Sequence, residues 1–89
     1  MDTRRSKLRY RAWRRGFLEA DLILGPFANA RLAAMSPAEL DAFELLLEQP
    51  DHDLYGWIVG DAPAPTAFEG EVLAMVRRFH STADQASRA

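Results

Sequence analysis

Asp51-His52-Asp53 is the densest group of metal-ligating and acid–base side chains in the sequence. Two carboxylates beside an imidazole have the atoms for holding a cation or moving a proton. Their spacing suits neither task. Consecutive residues on a helix or turn point in different directions, whereas a shared ion needs side chains from one face. The same residue types suit a helix start, where an Asp oxygen accepts an orphan backbone N–H. His80 ends an apolar-periodic stretch, where a cation suits the helix dipole. The serines offer no nucleophile: Ser36 precedes a proline as a cap, and Ser6, Ser81 and Ser87 lie near the ends. The absence of cysteine removes disulfides, thiolate metal sites and a thiol nucleophile. There is no glycine-rich phosphate loop. With no catalytic set in view, the sequence reads as a non-enzyme with no metal.

A second pattern is RRGFLE, residues 14–19. Arg15 and Glu19 stand about one helical turn apart, with Gly16 directly after the arginine. On the plain reading Gly16 closes a helix. Arg15 and Glu19 are then a surface ion pair worth about 0.3–0.5 kcal/mol, in the weaker of its two orientations. On the functional reading Gly16 lets another backbone come close. Arg15 and Glu19 then offer charge-assisted hydrogen bonds to a partner. Spacing alone favours the plain reading. Tyr55 and Trp57 divide in the same way, between core aromatics and a docking surface.

The elements that must position these residues all read as helices. Residues 4–14 form a short basic helix with Thr3 as its cap. Residues 17–24 form a second, carrying Phe17, Leu18, Leu22, Ile23 and Leu24. Gly25-Pro26 interrupts it, because a proline disfavours helix at the residue before it and lacks a donor. A turn or two resumes over 27–34. Ser36-Pro-Ala-Glu39 has the signature of a capping box with proline at the first helical position. The repeat of Leu40, Phe43, Leu46 and Leu47 carries a helix over 37–48. Asp51 or Asp53 caps a fourth helix with Leu54, Tyr55, Trp57 and Ile58, and Gly60 stops it. Residues 62–65, APAP, form a stiff connector. Thr66 and Glu69 suggest a second capping box before a helix over 67–80, with Phe68, Val72, Met75, Val76 and Phe79 as its core stripe. No apolar–polar alternation marks a strand. The expectation is an all-α bundle of about five short helices over residues 1–80, with 81–89 as a disordered tail.

The 89 residues suffice for one small domain, and 48% hydrophobic content predicts a packed core. No apolar run approaches the roughly 18 residues of a membrane span. Net charge is only −2, but residues 1–15 carry +6 and residues 16–89 carry −8. A basic head can bind nucleic acid, target the chain or dock on an acidic protein. An Arg-rich, acid-poor start resembles a mitochondrial presequence. Leu8, Ala12 and Trp13 nevertheless form an apolar stripe, so the segment reads as the first helix of the mature fold. The lack of cysteine fits a reducing cytosol, and a cytoplasmic bacterial protein is expected. Without large exposed apolar stripes, a monomer is expected too.

RRGFLEADLILGPF (14–27) resembles the signature Arg-Gly-x-x-Glu segment of the succinate dehydrogenase flavinylation factors. These include the bacterial SdhE proteins and mitochondrial succinate dehydrogenase assembly factor 2. SPAELDAFELLLEQPDHDLYGWIVG (36–60) is similar to the family's second block, with acidic residues leading into Leu-Tyr-x-Trp. Phe17 stands where Met is expected in many members. The resemblance implies a five-helix bundle that binds the flavoprotein subunit of succinate dehydrogenase, and in some bacteria that of fumarate reductase. It implies promotion of covalent FAD attachment, with no FAD held tightly by the factor itself. The residues it assigns to partner binding are Arg15, Gly16 and Glu19, with Asp21 as a weaker candidate and Arg14, Tyr55 and Trp57 behind it. A nucleic-acid-binding or antitoxin-like protein using the basic first helix is the alternative.

Overall fold

The computed structural model describes the backbone of residues 2–88 and the side chains of residues 2–82. It contains five α-helices: α1 (Thr3–Trp13), α2 (Leu18–Arg31), α3 (Pro37–Leu47), α4 (Asp51–Val59) and α5 (Glu71–Arg88). A 3-10 turn, Leu32–Ala34, follows α2. There are no strands among the described residues.

The all-α expectation holds, and the start of α3 forms as read. Ser36 accepts from the Glu39 N–H, and Glu39 accepts from the Ser36 N–H at 2.8 Å. Both otherwise orphaned donors are thereby satisfied. Ser36→Ala removes one half of this box, and we expect it to lower stability by about 1 kcal/mol in urea unfolding. Gly60 ends α4 in the left-handed region at φ 89°, where a side chain would be strained.

Four boundaries differ from the sequence reading. Asp2, not Thr3, caps α1 by accepting from the Arg5 N–H at 2.8 Å. That bond and the Arg5 guanidinium hold its carboxyl below the usual carboxylate range. Helix α2 runs straight through Gly25-Pro26. The clash that a proline makes with the preceding residue involves that residue's Cβ, and Gly25 has none. The N–H lost at Pro26 would have bonded the carbonyl of Leu22, an exposed residue within reach of water. Burial of Ile23, Leu24, Phe27 and Ala28 on either side of the pair then carries the helix through. Pro50 occupies the N-cap position of α4, with no side-chain cap. The second capping box is absent. Residues 66–68 form a turn, Glu69 accepts from Arg77 at 2.8 Å, and α5 begins only at Glu71. Its backbone continues as helix past residue 80, into the segment read as a tail.

One core joins all five helices. Phe27 lies at its centre, with ring centroids 5.5 Å from Phe43 and 5.7 Å from Phe79. Leu8 and Ala12 of α1, Leu40 and Leu46 of α3, Leu54 and Ile58 of α4, and Val72, Leu73 and Val76 of α5 close around it. Phe68, expected inside α5, sits in the preceding turn and stacks on Trp57 at 5.2 Å. Among the described residues no buried side-chain nitrogen or oxygen lacks a partner.

Candidate functional site

The four residues between α1 and α2 must reverse the chain. Gly16 makes this possible with φ 87°, a conformation costing an L-residue about 1–2 kcal/mol. An added Cβ would meet nothing within 4 Å, so the requirement is backbone conformation and not crowding. Gly16→Ala is therefore expected to cost about 1 kcal/mol in the chain alone, measured by thermal unfolding. A bulky replacement such as Gly16→Arg carries the same backbone cost.

Residues on the two sides of this turn face opposite ways. Arg15 turns inward. Its side chain is only 7% exposed, and its Nε donates to Asp51 Oδ1 at 2.8 Å. Its two terminal nitrogens donate to the carbonyl of Leu47 at 2.5 Å and that of Gln49 at 2.6 Å. Arg15 thus fastens the α1–α2 turn to the end of α3 and the start of α4. It forms no ion pair with Glu19, contrary to the plain reading of the sequence. Asp51 serves as the partner of Arg15 and not as the α4 cap. Phe17 also turns inward, edge-on to His52 at 4.7 Å and tilted against Tyr55 at 5.5 Å. The backbone N–H of Arg15 donates to Asp21 Oδ1 at 3.0 Å, which holds the loop against the first turn of α2.

Gly16, Leu18, Glu19 and Leu22 face outward. Leu18 is 66% exposed and Leu22 58%. They stand four apart and therefore share one face of α2. Glu19 lies beside them and makes no hydrogen bond or ion pair among the described residues. The result is an apolar stripe with one free carboxylate at its edge, starting at a flat glycine turn. This corrects the expectation that the bundle lacks exposed apolar stripes.

The sequence-predicted residues therefore separate. Gly16 and Glu19 are presented together. Arg15 is withdrawn into the fold and Asp21 supports the turn. Trp57 is a core residue, stacked on Phe68, and Tyr55 is half-buried against Phe17. Arg14 is exposed, its guanidinium carbon 4.7 Å from the centre of the Tyr10 ring. Leu18 and Leu22 were missed because they were read with Phe17, Ile23 and Leu24 as the apolar residues of one helix, without separating its faces. The signal was present: α2 also carries Ala20, Ile23, Leu24 and Phe27 on its other side, so it is apolar on two faces.

More than half of the basic head is paired within the chain. Arg4 pairs with Asp41 at 2.5 Å and Glu44 at 3.3 Å, and Arg11 with Glu44 at 3.6 Å. Arg5 donates to the carbonyls of Leu32 and Met35. A charge already compensated within the fold adds little to phosphate binding, which disfavours the nucleic-acid reading. No helix among the described residues is long and apolar enough to cross a membrane. No group of three or more His, Asp or Glu side chains there is arranged to hold a metal.

Fold and site together define a small helical bundle that presents a shaped, partly apolar surface, with no catalytic set assembled among the described residues. Residues 6–80 match the family model described as flavinator of succinate dehydrogenase. The chain belongs to the succinate dehydrogenase assembly factor family. It is 44% identical over 73 residues to the mitochondrial succinate dehydrogenase assembly factor 2 of Dictyostelium discoideum, covering 82% of this chain and 52% of that protein. The Danio rerio protein of the same name is 33% identical over 90 residues, covering 99% of this chain and 57% of its own length. The FAD assembly factor SdhE of Acetobacter pasteurianus is 39% identical over 76 residues, covering 85% and 67%. The chain spans only about half the length of the first two relatives. Their mitochondrial names overturn the expectation of a cytoplasmic bacterial protein. The absence of cysteine had suggested a reducing cytosol, but a reducing environment is not peculiar to that compartment, so composition had no power to choose.

Proposed function

We propose that this chain binds the flavoprotein subunit of succinate dehydrogenase and promotes covalent attachment of FAD to it. The supporting observation is the division of the RRGFLE turn. Arg15 and Phe17 lock the turn onto α4, and Gly16, Leu18, Glu19 and Leu22 are thereby held outward on a rigid support. Preorganisation of this kind reduces what binding must spend on ordering side chains. Gly16 leaves the turn flat, so the client's backbone can approach it. Glu19 supplies a charge-assisted hydrogen bond there, and Leu18 and Leu22 cover apolar client surface. The chain acts as a monomer, with Leu18 and Leu22 covered by the client and not by a second copy, and holds no FAD of its own. It favours a client conformation in which the flavin, kept in the flavoprotein, forms its bond. The chain itself makes no covalent step, so it is not an enzyme. The fumarate reductase flavoprotein is a second client of the same kind.

The test is co-expression of the flavoprotein in a host lacking its own factor, followed by denaturing electrophoresis and detection of flavin fluorescence at the flavoprotein band. We expect fluorescence with the unaltered chain and at least a tenfold loss with Glu19→Ala. Glu19 is exposed, so its removal should leave stability within about 0.5 kcal/mol. Equal fluorescence with and without the chain would refute the proposal.

A further inference from the structure

The outward face of α1 has no assigned role, and its composition is unusual for a solvent face. No acidic residue occurs from Thr3 to Leu18. Of the seven basic side chains before Gly16, Arg4, Arg5, Arg11 and Arg15 are bound to acceptors inside the fold. Lys7, Arg9 and Arg14 remain exposed and form no ion pair among the described residues. They surround Tyr10, which is 61% exposed. Tyr10 forms a ridge between two open hollows. One, of about 530 Å³, is lined with Thr3, Ser6, Lys7 and Arg11. The other, of about 260 Å³, is lined with Ser6, Arg9, Trp13 and Arg14.

We infer that this face is a second docking surface, built for an acidic patch on the flavoprotein client, with Tyr10 as its apolar anchor. The inference rests on the functional reading above. Three observations converge on it. First, the three free cations lie along the exposed side of α1, Lys7 at the first hollow and Arg9 and Arg14 at the second, in a protein whose net charge is negative. A partner's carboxylates would therefore be drawn to α1 and repelled from the acidic remainder. That remainder disfavours a long polyanion such as DNA, which would extend past the patch. Second, Tyr10 has the amphipathic form favoured at interface centres, ringed by charge. Third, the face is continuous with the presented turn. Trp13, which lines the second hollow, lies across Gly25 of α2, three residues from Leu22. One client surface can cover both.

The separation of the seven cations into two classes makes the inference testable. Purified flavoprotein subunit is immobilised, and association and dissociation are followed by interferometry from 50 to 500 mM NaCl. Lys7→Glu/Arg14→Glu is compared with Arg31→Glu/Arg78→Glu, a change of equal total charge at exposed sites on α2 and α5. Thermal unfolding verifies that each variant folds. We expect Lys7→Glu/Arg14→Glu to weaken binding at least tenfold at low salt, mainly through a slower association rate, and to flatten the salt dependence. Arg31→Glu/Arg78→Glu should change affinity less than threefold. Tyr10→Ala, which leaves the charges in place, should raise the dissociation rate. Equal losses in the two charge variants would reduce the effect to net charge and overturn the assignment. So would unchanged binding by Lys7→Glu/Arg14→Glu, or a steeply salt-dependent complex with a duplex DNA oligomer that these substitutions abolish. No binding by the unaltered chain at any salt would instead refute the client reading on which this one rests.

Discussion

Arg15→Met should melt on the order of 15 °C below the unaltered chain. The arginine donates to two backbone carbonyls and one carboxylate, all beyond α2 in sequence. Leu47 is the last residue of α3, and Gln49 lies in the turn that follows. The Leu47 carbonyl is among those that a helix end leaves unsatisfied, and the Gln49 carbonyl lies just past the cap residue Glu48. Hydrogen bonds involving a charged group contribute about 1.5–3 kcal/mol each, and bonds from one side chain do not add fully. Breaking a fully buried pair costs about 3–5 kcal/mol. Asp51 is 34% exposed, so water takes over part of its charge, and about 3 kcal/mol is the reasonable figure. For a domain of this size each kcal/mol moves the midpoint by about 4–8 °C. Arg15→Lys should recover less than half of the loss, because an ammonium cannot reach three acceptors in the planar arrangement a guanidinium offers. Asp51→Asn should cost less than Arg15→Met, since both backbone contacts remain. A midpoint for Arg15→Met within about 3 °C of the unaltered chain would contradict the clamp. The consequence for function is direct. Under the function proposed above, loss of flavin attachment in an Arg15 variant would report a collapsed support for the turn, whereas loss in a Glu19 variant would report a missing contact.

The parts of the fold legible in the sequence were those fixed by local chemistry. Ser36 through Glu39 specifies a helix start because both partners of the capping box lie within four residues. Gly60 specifies a helix end because the left-handed cap needs no distant residue. Misreadings arose where a distant contact decides the outcome. Pro26 looked like a break because its cost is local, while the gain from burying Phe27 against Phe43 and Phe79 is not. Thr66 and Glu69 had the right spacing for a capping box, yet Glu69 is taken by Arg77, eight residues on. The site divides along the same line. Sequence pattern brought Arg15, Gly16 and Glu19 forward as one motif, but no local rule tells which of them points inward. That depends on Asp51 and on the carbonyls of Leu47 and Gln49, more than thirty residues away. The motif is thus two things in one stretch: an internal fastener, Arg15, and a presented surface, Gly16 and Glu19.

Gly25→Ala should destabilise the domain by about 1–3 kcal/mol, although alanine is the better helix former. Of the two glycines in the RRGFLEADLILGPF segment, it is Gly25 and not Gly16 whose missing Cβ makes room for a contact inside the chain. A Cβ built on Gly25 would lie 2.2 Å from Cδ2, 2.4 Å from Cε2 and 2.6 Å from Cε3 of Trp13. The indole therefore rests directly on the α2 backbone, and its N–H points to Asn29 Oδ1 at 3.4 Å. Trp13 is the last residue of α1, so displacing its ring shifts the end of that helix and the turn that carries Gly16. Trp13 is also 38% exposed, which gives the ring some room to move and keeps the cost below that of overpacking the deep core. A double-mutant cycle isolates the contact. In a Trp13→Ala background the clash is gone, and Gly25→Ala should be neutral or should stabilise by up to about 1 kcal/mol through helix propensity. The coupling between the two positions, read from urea midpoints by circular dichroism, should then be about 1–4 kcal/mol. An equal penalty for Gly25→Ala in both backgrounds would place its origin in the Gly-Pro backbone and not in the indole. Coupling of the expected size would mean that the α1–α2 angle, and with it the position of Leu18, Glu19 and Leu22, is set by one aromatic ring seated on one glycine.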